Sequence, residues 1–232
     1  MKPQTFLFNF LLISPIAYAE GKISLQWAIC DPSPQDTLAK LRLGAAPPYK
    51  ENPITYYDEH PPIHISSGIM FRTKTNKGQQ FSTVKVRFPG TVPDVPDFVD
   101  CSWGQYGTNP PSFACEKRCP LDSKVWQEEQ VQFAEQYETV DWDALRAYGP
   151  YKNAKWKMRV EGYKAKFDNV VAGDLHLMEV EVKVPWEQSH DALEAITQYL
   201  NERGVVLCVP QEGKTMRLFR AMGYFGDENE EL

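Results

Sequence analysis

Apolar and charged positions alternate with a period of two through several stretches of the chain, which predicts strands whose two faces differ in character. Arg72 and Lys74 share one face of a predicted strand from about Ile69 to Thr75, while Phe71 and Thr73 point the other way. Lys85 and Arg87 do the same in a strand from about Phe81 to Phe88, opposite Val84, Val86 and Phe88, with Asn76-Lys77-Gly78 supplying hairpin turn chemistry. Lys155, Lys157 and Arg159 alternate with Trp156, Met158 and Val160 in a strand read from about Lys155 to Phe167. Glu179, Glu181 and Lys183 alternate with Val180, Val182 and Val184 in a strand from about Asp174 to Val184, reached through a turn at Val171-Ala172-Gly173. Shorter strands are expected at Ile23 to Cys30, Ile54 to Tyr57, Phe113 to Arg118 and Val205 to Val209. Helical spacing and caps predict helices over 34–43, 123–148 (with Asp141 as an internal cap), 190–203 and Lys214 to Met222. The proline- and glycine-rich stretch 89–111 reads as a long loop. Together these elements predict an α+β domain built on an antiparallel sheet.

The first residues follow a different logic. Met1-Lys2, the largely apolar run Phe6 to Ile16 and the small residues Ala17 and Ala19 form the n-region, h-region and A-x-A pattern of a secretory signal. The expected organisation is therefore a signal peptide at 1–19, a single domain at 20–225 and an acidic tail at 226–232, in a protein exported to a periplasm or secreted. Export changes how Cys30, Cys101, Cys115, Cys119 and Cys208 are read: some pair as structural disulfides, and the sequence does not choose among the pairings.

The formal net charge of -6 argues against a general nucleic-acid binder, and no membrane association is expected after signal removal. Local charge runs against that total. Residues 63–90 contain five basic residues and no acid, and residues 151–167 contain six basic residues with Glu161 as their single acid. A wet sheet face accounts for alternation, but it normally intersperses signs, and like charges on neighbouring strands repel. An anion that neutralises the stripe, with carboxylates nearby for a divalent metal, explains the bias better. His60 and His64, in a proline-rich loop, are expected to be exposed. Trp126, Phe133, Tyr137 and Trp142 read as a helix packing face.

The order Tyr56-Tyr57-Asp58, Gly68-Ile69-Met70-Phe71-Arg72-Thr73-Lys74, Thr83-Val84-Lys85-Val86-Arg87, the basic strand ending at Arg159, and Glu179-Val180-Glu181-Val182-Lys183 resembles the CYTH, or triphosphate tunnel metalloenzyme, superfamily. The likeness spans about Lys22 to Met222. It implies an α+β fold whose sheet is an antiparallel, tunnel-like β-barrel with helices packed outside. It also implies phosphate contacts from Arg72, Lys74, Lys85, Arg87, Lys157, Arg159 and Lys183, and Mg²⁺ or Mn²⁺ held by Glu179 and Glu181, with Glu116 a looser match to a mid-chain acidic strand. The first strand departs from the pattern: where the family has E-x-E-x-K, this chain has Ser24, Gln26 and Ala28.

Phosphoryl transfer depends on positioning and on neutralisation of charge by metal and cations, so loss of first-strand carboxylates weakens the catalytic case. The resulting expectation is an exported barrel that binds a small polyanion such as tripolyphosphate, with weakened or lost catalysis. The alternative is a metal-dependent triphosphatase working from Glu179 and Glu181. A carrier of apolar ligands would need an apolar interior, against which the striped strands argue.

Overall fold

Alternation becomes ten strands: β1 (Lys22–Ile29), β2 (Lys50–Glu51), β3 (Ile54–Asp58), β4 (Ile69–Asn76), β5 (Gln79–Pro89), β6 (Asp100–Tyr106), β7 (Ser112–Pro120), β8 (Arg146–Val160), β9 (Tyr163–Ala172) and β10 (Leu175–Pro185). Four α-helices accompany them, α1 (Pro34–Lys40), α2 (Glu128–Glu135), α3 (Ser189–Glu202) and α4 (Lys214–Ala221). The computed structural model describes residues 21–90 and 92–225. The expected signal peptide and acidic tail lie outside the described residues.

Nine strands close into a barrel in the order β8-β3-β4-β5-β7-β6-β1-β10-β9 and back to β8, while β2 adds to β8 outside the ring. Strictly antiparallel pairing was expected, and one pair departs from it: β1 runs parallel to β6, with Ser24 opposite Gly104 and Gln26 opposite Tyr106. The reason is topological, since strand direction cannot alternate all the way round a closed ring with an odd number of members.

The apolar stripes face outward and carry the core between barrel and helices. Ile23, Leu25 and Trp27 of β1, with Val180 and Val182 of β10, pack against Ala192, Ile196 and Leu200 of α3. Phe71, Val84 and Val86 pack beneath Phe133 of α2, and Trp126 and Trp142 meet the Phe71 ring edge-on at 5.5 and 5.4 Å. The inward face is charged over most of its length and apolar at one end. Val170 shares the inward face of β9 with Asp168, and Leu177 that of β10 with Glu179, yet Val170 and Leu177 pack on Leu218 and Phe219 of α4. That helix therefore plugs one end of the barrel.

Several expected boundaries move. The helix expected over 123–148 shortens to α2, because Asp141 accepts from the Asp143 and Ala144 amides in a local turn, and β8 begins at Arg146. The strand expected from Lys155 to Phe167 is split by a two-residue turn, Glu161-Gly162, in which both residues have positive φ. The phase of the charge alternation switches there, from odd positions (Lys155, Lys157, Arg159) to even ones (Lys164, Lys166). The loop expected over 89–111 contains β6. Val205 to Val209 forms only a bridge, between Leu207 and Ile29. Disulfides join Cys30 to Cys208 and Cys101 to Cys115, and Cys119 is free and buried. Two disulfides fit an exported protein. No helix among the described residues is long and apolar enough to cross a membrane.

Candidate functional site

The inward faces enclose a cavity of about 580 Å³ that reaches from the α4 plug to an open mouth. The depth gradient is visible along β10, where Leu177 and Glu179 are buried, Glu181 is half-buried and Lys183 is exposed. Arg72, Lys74, Lys85, Arg87, Lys155, Lys183 and Lys214 line this space against Glu116, Asp168, Glu179 and Glu181, so seven cations face four carboxylates.

Strand register explains the convergence. Arg72 and Lys74 follow each other on the inner face of β4, and Lys85 and Arg87 on that of β5. Glu116 of β7 sits opposite Lys85 in the ladder, and its carboxylate pairs with Arg72 at 3.4 Å. Lys74 and Lys85 have no ion pair among the described residues. Burial, then the neighbouring Arg72, pushes their amines down, Lys74 to about 7 and Lys85 to about 8. The Arg72 Nε is buried with no hydrogen-bond partner among the described residues, and the Arg87 guanidinium lies over the Tyr106 ring at 5.5 Å. This wall has more positive charge than its own acids neutralise.

On the opposite wall each carboxylate has a partner, although Asp168 Oδ1 is buried without a hydrogen bond among the described residues. Glu179 Oε1 accepts from Lys214 Nζ at 2.6 Å and from Gln26 Nε2 at 3.2 Å, while Oε2 accepts from the Tyr106 hydroxyl at 2.9 Å. Burial works to raise the Glu179 pKa, but Lys214 and the hydrogen bonds outweigh it and hold the carboxyl below its ordinary range. Burial likewise works against the Lys214 ammonium, and Glu179 outweighs it and raises the pKa. The pair is therefore ionised. Tyr106 is pushed up by burial and by Glu179 and stays a neutral donor. Glu181 Oε1 accepts from Ser24 Oγ at 2.7 Å, and its other oxygen faces Lys166 at 3.9 Å. Asp168 pairs with Lys155.

Of the residues proposed from sequence, Arg72, Lys74, Lys85, Arg87, Lys183, Glu179 and Glu181 are brought together in the cavity. Lys157 and Arg159 are not. The β8–β9 hairpin carries them beyond the lined region, where Lys157 lies over the Tyr49 ring at 4.7 Å and Arg159 donates to the Gly162 carbonyl at 3.2 Å. Sequence reasoning missed Lys214, Tyr106, Asp168 and Lys155 as site residues. Lys155 stood in the basic stripe already read, and the alternation of Lys164 and Lys166 points on to Asp168. Tyr106 was hidden in the stretch taken for a loop, and Lys214 carries no local signal because its role comes from where α4 docks.

The tyrosine-aspartate segment divides its labour. Tyr56 faces the cavity, whereas Asp58 is buried and accepts from the backbone amides of Glu59, Ile63, His64 and Ile65, folding the loop between β3 and β4. That loop does not expose His64 as expected. The ring is fully buried, with Nε2 and Nδ1 each 3.3 Å from Glu59 and Glu138 respectively.

A divalent metal needs carboxylate oxygens free to approach to about 2.0–2.1 Å for Mg²⁺. Both oxygens of Glu179 and one of Glu181 instead accept hydrogen bonds from resident donors. Among the described residues no three His, Cys, Asp or Glu side chains are grouped so as to hold a metal ion. The donor set does not fit one.

No family model and no curated protein sequence matches the chain. Solved structures do. A candidate adenylate cyclase from Bacillus halodurans superposes with a TM-score of 0.58 at 12% identity, covering 86% of this chain and 98% of that one. A candidate adenylyl cyclase from Hippeastrum with a dominant triphosphatase activity superposes with a TM-score of 0.52 at 15% identity, covering 86% of this chain and 95% of that one. At such identities the likeness is one of fold.

Proposed function

We propose that this protein is a divergent member of the triphosphate tunnel superfamily, exported, that binds a triphosphate- or polyphosphate-type anion in the barrel and has weak or no hydrolytic activity. The observation that carries the reading is the convergence of Arg72, Lys74, Lys85 and Arg87 on one cavity with a single carboxylate, Glu116, among them. Arginine and lysine hold phosphate oxygens through short charge-assisted hydrogen bonds, and a multiply charged anion relieves several mutually repelling cations at once. Lys183 at the mouth extends the same charge along the axis. Lys157 and Arg159, exposed outside the lined region, steer an anion toward the mouth rather than grip it.

Hydrolysis needs more than the grip. Metal-dependent hydrolysis from Glu179 and Glu181 is the weaker reading, because their oxygens are engaged by Lys214, Tyr106, Gln26 and Ser24. Calorimetric titration with tripolyphosphate at low ionic strength tests the proposal. Binding that weakens steeply as salt is raised is the expected result, because exposed parts of the site are screened. An absence of binding heat at low salt would remove it.

A further inference from the structure

Lys214 lies at the first turn of α4, and the contacts that fix it there reach well beyond the cavity. Arg217, three residues on, donates to the Met178 carbonyl at 2.9 Å and to the Ile29 carbonyl at 3.0 Å, clamping the helix to β10 and β1. Leu218 and Phe219 fill the end of the barrel. Upstream, Gln211 accepts from the Ala28 amide at 2.8 Å and donates to the Ala28 carbonyl at 2.9 Å, and Cys208 is disulfide-bonded to Cys30. The ammonium so positioned is 2.6 Å from Glu179 and 3.8 Å from Asp168; both carboxylate side chains are more than nine-tenths buried, and that of Lys214 is 17% exposed.

We propose that Lys214 is a built-in cation that takes the place of a divalent metal in this tunnel, so that the anion is bound without metal and metal is excluded from the carboxylates. An ammonium is a compact point charge with three donors; here it hydrogen-bonds the Glu179 carboxylate and places its charge 3.8 Å from that of Asp168. Unlike a metal it acts only by donating hydrogens and by its charge, and so supplies no Lewis-acid polarisation of a phosphate oxygen or a water. The neighbouring side chains agree with this assignment, since Ser24, Gln26 and Tyr106 all point hydrogen-bond donors at the carboxylates and so compete with a cation for the same oxygens. The inference rests on the anion-binding reading for its ligand, but its statement about metal stands on the carboxylates alone.

The test uses the purified protein after chelation and desalting. Mn²⁺ alone is titrated and followed by its electron paramagnetic resonance signal, and tripolyphosphate is titrated separately in EDTA. The wild type is expected to bind no Mn²⁺ stoichiometrically below millimolar concentration and to bind tripolyphosphate in EDTA. Lys214→Met is expected to gain Mn²⁺ affinity by tenfold or more, as Glu179 loses its resident cation, and to lose tenfold or more in metal-free tripolyphosphate affinity. Lys214→Arg, which keeps the charge should the methionine variant fail to fold, is expected to exclude Mn²⁺ as the wild type does. Tight Mn²⁺ binding by the wild type, tripolyphosphate binding that requires added Mn²⁺, or a folded Lys214→Met that gains no Mn²⁺ would each overturn the proposal. Failure to bind tripolyphosphate with or without metal would instead overturn the anion-binding reading, and the Mn²⁺ titration would still decide this one.

Discussion

On the β4–β5 side of the tunnel, Lys74 and Lys85 face the cavity without an ion pair among the described residues, and burial and Arg72 hold their amines far below the ordinary lysine range. On the β1–β10 side, Glu179 is buried more fully than either lysine and has a cation and two further donors on its oxygens. Both walls are made the same way, by polar residues on the inner face of a strand whose outer face is core. What differs is the partner count. A charge satisfied within the protein contributes to holding the fold together, while one left unsatisfied is poised for a ligand.

The largest expected effect breaks the paired wall. Glu179→Gln leaves the Lys214 ammonium without its nearest counter-charge, with Asp168 3.8 Å away the remaining one, and loss of one partner of a buried pair costs about 3–5 kcal/mol. Urea denaturation is expected to show a midpoint far below that of the wild type. Removing charge from the other wall should do the reverse: Lys85→Met deletes a self-repelling cation and is expected to leave the midpoint unchanged or higher. If both substitutions destabilise alike, the walls do not differ as described.

Next in size is binding. Replacing Arg72 and Arg87 together by alanine removes two charged hydrogen-bonding groups, each worth about 1.5–3 kcal/mol when it contacts an ion. Tripolyphosphate affinity is therefore expected to fall by at least about a hundredfold, with an intact near-ultraviolet circular dichroism spectrum. A change of less than threefold would place the anion elsewhere.

The smallest effect is a pH dependence of stability. Lys74 titrates at about 7 in the folded protein and Lys85 at about 8, against an ordinary 10.5, so the unfolded chain holds more protons between these values. Their contribution is destabilising, is fully present below pH 7 and is relieved as pH rises toward 10.5. The ligand-free protein is expected to melt at a higher temperature at pH 9 than at pH 7, and Lys74→Met is expected to shrink that rise.

The unpaired wall was legible in the sequence because its pattern is local. Arg72, Lys74, Lys85 and Arg87 alternate within two strands joined by a short turn, and their side chains point where the period says. The paired wall was only half legible. Glu179 and Glu181 stood out at a spacing of two, but the residues that decide their chemistry come from far along the chain. Ser24 is 157 positions from Glu181, and Tyr106 is 73 positions from Glu179. Lys214 reaches Glu179 only because α4 docks in the barrel end. The parallel β1–β6 pair is equally invisible to local pattern, since it follows from closing an odd number of strands rather than from any residue in either strand. Lys157 and Arg159 show the converse limit: the alternation gives their face correctly but not that their hairpin runs past the lined cavity.

The central claim is that the β4–β5 wall is an incomplete charge cluster which an anion completes, and proton uptake measures that directly. A bound polyphosphate raises the lysine pKa values back toward 10.5, so binding at pH 8 must draw protons from the buffer. Titrating tripolyphosphate into the EDTA-treated protein at pH 8, in two buffers of very different ionisation enthalpy, reads that uptake as a difference between the two observed heats. The account predicts binding in both buffers with a clear net uptake of protons, diminished in Lys74→Met. Binding heats that are the same in both buffers, or no binding in either, would contradict it.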